Sequence, residues 1–174
     1  MSSEIVRLAV PAVLAALLVG AVYTDFRHGK IHNKLTLTCI VLGMVLSLLS
    51  AGLRGLGESL AGILLVMLLY LLFAPRTGIG GGDVKLMMAI GALMGIRFTV
   101  WSLLFSAAVG GLLAVLVMIR HGALTATLRG MLANLLLKVC FQAPVEVAGV
   151  SRGLRFRYSP AIALGTLLAF IFKR

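Results

Sequence analysis

Uncharged apolar runs separated by short basic stretches make up most of the chain. The first, about Ile5 to Thr24, is followed by Leu35–Leu53, Ser59–Ala74, Leu86–Ile96, Phe98–Ile119 and about Tyr158–Phe172. At about 1.5 Å per helical residue, the first three and the fifth can cross a hydrocarbon core of about 30 Å. The fourth, even begun at Val84, reaches only about 20 Å, so its start is expected below the membrane surface unless the bilayer thins around it. The last is marginal in length but apolar. The first run is long for a signal peptide, and no small-x-small cleavage site gives way to a soluble domain. It reads as a retained helix with Pro11 near its start. His121–Gln142 differs: Leu124, Leu128, Met131, Leu132, Leu135 and Leu136 recur at helical spacing, interrupted by Arg129, Asn134 and Lys138. That pattern predicts an amphipathic helix lying on the membrane, with a seventh crossing as the alternative.

Composition supports the same solvent. Of the 174 residues 61% are hydrophobic and 12% charged, and the mean hydropathy is +1.12. Soluble domains run about 45–50% apolar and about 25% charged, and a chain this short cannot hide the excess in a core. The expectation is an all-α polytopic membrane protein: about six transmembrane helices plus the interfacial helix, in one integral-membrane domain, 1–174. The net charge of +11 lies mostly between apolar segments, where it sets topology and meets anionic membrane lipid rather than nucleic acid. The loops around Arg27, Lys30 and Lys34, around Arg76 and Lys85, and from Arg120 to Arg157 hold most of the Lys and Arg. The positive-inside rule makes these loops cytoplasmic and both chain ends external. Cys39 and Cys140 are far apart, without a CxxC, and read as packing residues. The pattern leaves the oligomeric state open.

The acids are few: Glu4, Asp25, Glu58, Asp83 and Glu146. Glu4 falls in the N-terminal tail and Glu58 in a short outer loop, both solvated; Glu146 sits in the long basic loop. The two aspartates fall at membrane boundaries on the same side. Asp25 ends the first helix in YTDFRHGKIHNK, and Asp83 opens the fourth in GIGGGDVKL. Ionisable residues at such positions are functional candidates. Singly, Asp83 could cap the helix starting at Val84, and Asp25 could balance Arg27, Lys30 and Lys34. Gly80, Gly81 and Gly82 tip the balance, because a glycine-rich helix mouth lets another backbone approach and hydrogen-bond in extended form. A phosphate loop would need a Walker-type lysine and hydroxyl, or GxGxxG after a strand, and has neither.

Two carboxylates brought together share one proton, so one draws a proton from water while the other polarises a scissile carbonyl. That chemistry needs no metal, nucleophile or cofactor, and it leaves open which aspartate is the base. His28 and His32 are four apart, a metal-ligand spacing, but without an HExxH glutamate they read as surface histidines. A small proton- or cation-coupled transporter is the alternative function. It would place an acid near the bilayer midplane. A scaffold subunit of a secretion assembly is a third.

At these residues the chain resembles a known family. GGGDVK (Gly80–Lys85) resembles the GxGD signature of membrane aspartic proteases, in the form carried by type IV prepilin peptidases. DFRHGKIHN (Asp25–Asn33) resembles that family's other motif, an Asp and a basic stretch ending in Ile-Pro-Asn, with His32 in place of the proline. YSPAIALGTLLAF (Tyr158–Phe170) resembles its last-helix segment, with Ser159-Pro160 where glycine is expected. The resemblance implies Asp25 and Asp83 as catalytic residues, with Gly80, Gly81, Gly82, Lys85 and Asn33 contacting substrate. It implies an endopeptidase of the inner (cytoplasmic) membrane, active site facing the cytoplasm, without a cofactor. Its substrate would be a prepilin or pseudopilin with a short basic leader. Long bacterial members add an N-terminal region with paired CxxC motifs and N-methyltransferase activity. This chain begins directly at its first helix and lacks those motifs. It is similar to the short forms, the tight-adherence (Flp-type) and archaeal preflagellin peptidases, for which peptidase activity without N-methylation is expected.

Overall fold

The structure, a computed structural model, describes residues 2–29, 31–77, 80–120, 122, 129 and 158–172. They form helices α1 (Ser2–His28), α2 (Asn33–Thr77), α3 (Gly81–Arg120) and α4 (Ser159–Phe172). Apart from Gly122 and Arg129, the amphipathic segment expected over His121–Gln142 lies outside the described residues, as does Glu146. The chain separates into two compact units, Met1–Val109 with Arg157–Arg174, and Gly110–Phe156. In the second, α3 runs to Arg120 and the Gly122 N–H donates to the Ile119 carbonyl at 3.1 Å.

The segments Leu8–His28, Asn33–Phe73 and Gly81–Arg120 are long and apolar enough to cross a membrane, whereas α4 is apolar but has 14 residues. The burial pattern of the first unit reverses that of a water-soluble protein. Leu37, Val41, Leu64, Leu68, Leu104 and Leu167 are exposed, while Thr36, Ser59, Thr99, Ser102, Ser106 and Thr166 are buried. Hydrocarbon offers polar groups no partners, so hydroxyls turn inward and bond within the protein. Ser59 donates to the Ala92 carbonyl at 2.8 Å, Thr99 to the Gly95 carbonyl at 2.7 Å, and Ser102 bonds Thr166 at 2.8 Å. Among the described residues, no buried side-chain polar atom lacks a partner. The chain is a membrane protein, and every element among its described residues is a helix.

Glycine breaks two of the helices. Gly52 (φ 61°) and Gly95 (φ 76°) take backbone conformations that L side chains rarely adopt. In α2 the break folds the chain back. Ser47 and Ser59 both donate to the Ala92 carbonyl, at 3.3 and 2.8 Å, although twelve residues of straight helix would separate them by about 18 Å. The two halves of α2 correspond to the runs Leu35–Leu53 and Ser59–Ala74. Glu58, however, is helical rather than in a loop, and it lies beside Gly95.

The first half of α3 sits at the centre of the core, where Met87, Ala89, Ile90, Ala92 and Leu93 are buried. Leu14, Leu17 and Ala21 of α1, Cys39 and Val66 of α2, and Ile162 and Ala169 of α4 complete the core. Small residues let the backbones meet, which is how membrane helices gain contact without a hydrophobic driving force between them. A Cβ on Gly62 would lie 2.6 Å from the Gly91 carbonyl oxygen, and one on Gly43 would lie 2.7 Å from the Ala92 carbonyl carbon. Gly62→Val is therefore expected to cost about 1–3 kcal/mol of stability, measured as a lower thermal unfolding midpoint in detergent. An unchanged midpoint would mean that α2 and α3 do not approach this closely.

Candidate active site

Asp25 lies in the last turn of α1, where its carbonyl accepts the Gly29 N–H at 2.9 Å as the helix ends. The chain turns through Ile31 and His32 into α2, whose first N–H groups are taken up by the His32 carbonyl, from Leu35 at 3.1 Å and Thr36 at 3.4 Å. Asp83 lies in the first turn of α3, and its N–H and that of Val84 donate to the Gly80 carbonyl at 3.1 and 3.4 Å. Gly80 thus occupies the capping position expected for Asp83, which sits inside the turn. There the positive end of the helix dipole favours a carboxylate.

The two aspartates line one open cavity of about 600 Å³. All seven residues singled out in the sequence meet there: Asp25 from α1, Asn33 from α2, Gly80 ahead of α3, and Gly81, Gly82, Asp83 and Lys85 from α3. His28, Gly29, Ile31 and His32 complete the lining. Asp25 is only 8% exposed, and Asp83 is partly buried. Lys85 Nζ donates to Asn33 Oδ1 at 3.0 Å, tying α3 to α2.

None of the three glycines has a positive φ; two of them supply room instead. A Cβ on Gly80 would stand 3.2 Å from Asp83 Oδ2, and one on Gly82 would stand 3.3 Å from Ile31 Cβ. One on Gly81 would meet nothing within 4 Å. His28 and His32 do not share a helical face, because α1 ends at His28. Their rings meet edge to face, with centroids 5.1 Å apart. Among the described residues, no three of His, Cys, Asp and Glu converge as metal ligands would.

Two residues beside the aspartates escape the sequence reading. Ser159, the fully buried first residue of α4, donates its hydroxyl to Asp25 Oδ2. Tyr158, just ahead of α4, donates to the Ser106 carbonyl at 3.1 Å. Burial raises its phenol pKa, and the Asp83 charge raises it further. The only sequence signal for either is the YSPAIALG stretch.

Apolar helices with inward-turned hydroxyls and two carboxylates on one cavity define a membrane protein with a paired-aspartate site. The profile of the type IV leader peptidase family matches residues 12–115, spanning both aspartates, and the chain belongs to that family. It is 30% identical over 112 residues to the prepilin leader peptidase/N-methyltransferase of Neisseria gonorrhoeae, covering 61% of this chain and 39% of that protein. It is 28% identical over 166 residues to the Bacillus subtilis (strain 168) protein of the same name, covering 93% of this chain and 55% of that one. The chain thus spans about half the length, or less, of these curated relatives. No solved structure matches it significantly.

Proposed function

We propose that this chain is a membrane aspartic endopeptidase that removes the short basic leader of a prepilin or pseudopilin at the cytoplasmic face. The observation that carries the reading is the meeting of Asp25 and Asp83 at one cavity in a member of the leader peptidase family. Carboxylates held close cannot both ionise readily, so the pair holds one proton. The ionised member takes a proton from water as the water oxygen bonds to the scissile carbonyl carbon. The protonated member hydrogen-bonds the carbonyl oxygen, and as the C–N bond breaks a proton passes to the leaving amine. No cofactor enters this scheme.

An extended leader would run past Gly80, Gly81 and Gly82, with Lys85 and Asn33 offering polar groups to its backbone. The apolar helix of the substrate would lie in lipid beside the enzyme. With the breaks at Gly52 and Gly95 the elements supply six helical segments, and we read each as a crossing of the inner membrane within one peptidase domain, 1–174. The cavity then faces the cytoplasm, where the basic loops gather. Peptidase activity without N-methylation is part of the proposal and rests on the resemblance to the short forms alone. A proton- or cation-coupled transporter is disfavoured, since both acids sit at helix ends and the chain belongs to a peptidase family. The test is co-expression with candidate Flp-type prepilins, reading the N-terminus of each pilin by mass spectrometry. A shortened, unmethylated N-terminus is expected; intact leaders throughout, with the enzyme present in the membrane, would overturn the reading.

A further inference from the structure

We infer that a second cavity, at the membrane face opposite the aspartates, holds the zwitterionic headgroup of an aminophospholipid, with Arg54 on its phosphate and Glu58 on its primary ammonium. The inference does not depend on the peptidase reading.

This cavity of about 380 Å³ is lined by Ser47, Ser50, Arg54 and Glu58 of α2 and by Gly95 of α3, among others. It shares no residue with the aspartate cavity. Asn33, which lines the aspartate cavity, and Ser50 stand at the two ends of the first half of α2. At the helical rise they are about 25 Å apart, close to the thickness of a hydrocarbon core. Both helix breaks fall at this face. Gly52 lies just ahead of Arg54, and a Cβ on Gly95 would stand 3.3 Å from Glu58 Oε2.

Arg54 and Glu58 are four apart in the helix that resumes after Gly52, so they share a face with Cβ atoms about 5–6 Å apart. An arginine ahead of a glutamate is the weaker order for an ion pair at this spacing. Among the described residues, neither side chain makes a hydrogen bond or ion pair. Two opposite charges therefore face one cavity unbonded to each other. The hydroxyls beside them have already spent their protons: Ser50 donates to the Ser47 carbonyl at 3.0 Å and Ser47 to the Ala92 carbonyl at 3.3 Å. What they still offer the cavity is oxygen lone pairs, which accept from a donor.

These groups discriminate among the headgroups that a membrane presents. A phosphate diester suits the Arg54 guanidinium. A primary ammonium carries three N–H donors, enough for the Glu58 carboxylate and a serine oxygen together. A choline headgroup has the same charges but no N–H to donate. A glycerol headgroup brings only the anion, which meets like charge at Glu58. A metal cation would meet Glu58 but stand beside the like charge of Arg54. Leu49 and Leu53, next to the cavity in the chain, are exposed apolar side chains against which acyl chains can lie.

The test is native mass spectrometry of the full chain in detergent, titrated with phosphatidylethanolamine, phosphatidylcholine or phosphatidylglycerol of identical acyl chains. The first phosphatidylethanolamine is expected to bind about tenfold more tightly than either of the others, as one added charge-assisted hydrogen bond would give. Glu58→Gln, which keeps the side-chain shape, should bring phosphatidylethanolamine down to the level of phosphatidylcholine. Arg54→Gln should weaken both by about tenfold, because the phosphate is common to them. Both residues are exposed, and unfolding midpoints recorded alongside should stay at the wild-type value. Absence of a phosphatidylethanolamine preference in the wild type overturns the inference without reference to any variant. So does a preference that survives Glu58→Gln, or tighter binding of phosphatidylglycerol by the wild type. Soluble glycerophosphoethanolamine is the competitor: displacement of the lipid at equal concentration would overturn the membrane as the source of the headgroup.

Discussion

Asp25→Asn and Asp83→Asn are each expected to slow leader removal by at least about 10³-fold while the protein stays folded in the membrane. Positioned acids and bases contribute about 10² to 10⁴ each, and asparagine keeps the carboxylate shape but cannot exchange a proton near neutral pH. The fold should survive both changes. An amide at position 25 can still accept the Ser159 hydroxyl that now reaches Oδ2. At position 83, inside the first turn of α3, asparagine keeps the size and shape of the side chain. Because the two groups act as one unit, the double variant should lose little more than either single one. The measurement is the initial rate of leader loss by mass spectrometry at matched membrane levels. Either single variant within tenfold of wild type would remove the pair from the chemistry, and strictly multiplicative losses would mean that the aspartates act independently.

The helices are legible in the sequence because a bilayer sets both the length and the polarity of what crosses it. Their breaks are less so. The charge of Arg97 divides the run after Asp83, yet the backbone breaks at Gly95, two residues earlier. A charge marks where water is tolerated, whereas a positive φ is a backbone property that any of the glycines could supply. Glu58 misleads for the same reason. It is exposed, as a loop acid would be, but α2 resumes its helix directly after Gly52, with Gly55 packed on the Ser47 carbonyl. Asp25 and Asp83 stand out as candidates because acids are scarce and each stands at one end of an apolar run. Ser159 does not, since its partner lies 134 positions away and is set by how α4 packs on α1. His28 and His32 read as surface histidines and are exposed; their four-residue spacing would imply a shared face only if the helix continued, and α1 stops at His28.

Gly82→Val is expected to reduce kcat by about 10²-fold, whereas Gly81→Val should cost no more than a few-fold. The two glycines are adjacent in the first turn of α3, so helix propensity does not distinguish them. Their surroundings do. A Cβ on Gly82 would stand 3.3, 3.6 and 3.7 Å from three side-chain carbons of Ile31, leaving no space for the two further methyl groups of valine. Ile31 belongs to the link between the helix of Asp25 and Asn33, and residue 82 is bonded directly to Asp83. Relief of the overlap must therefore displace one side of the cavity. Overpacking of this kind costs about 1–3 kcal/mol, and a misplacement of about 1 Å in a catalytic group can cost about 10²-fold in rate. Gly81 is exposed with open space around it, and it stands at the free position of the GxGD pattern. Steady-state cleavage of a prepilin in detergent, with unfolding midpoints measured alongside, separates the cases. Wild-type kcat in Gly82→Val would show that its contact with Ile31 does not constrain the aspartates. Equal losses at both positions with unchanged stability would instead mean that the substrate backbone presses along the whole glycine stretch.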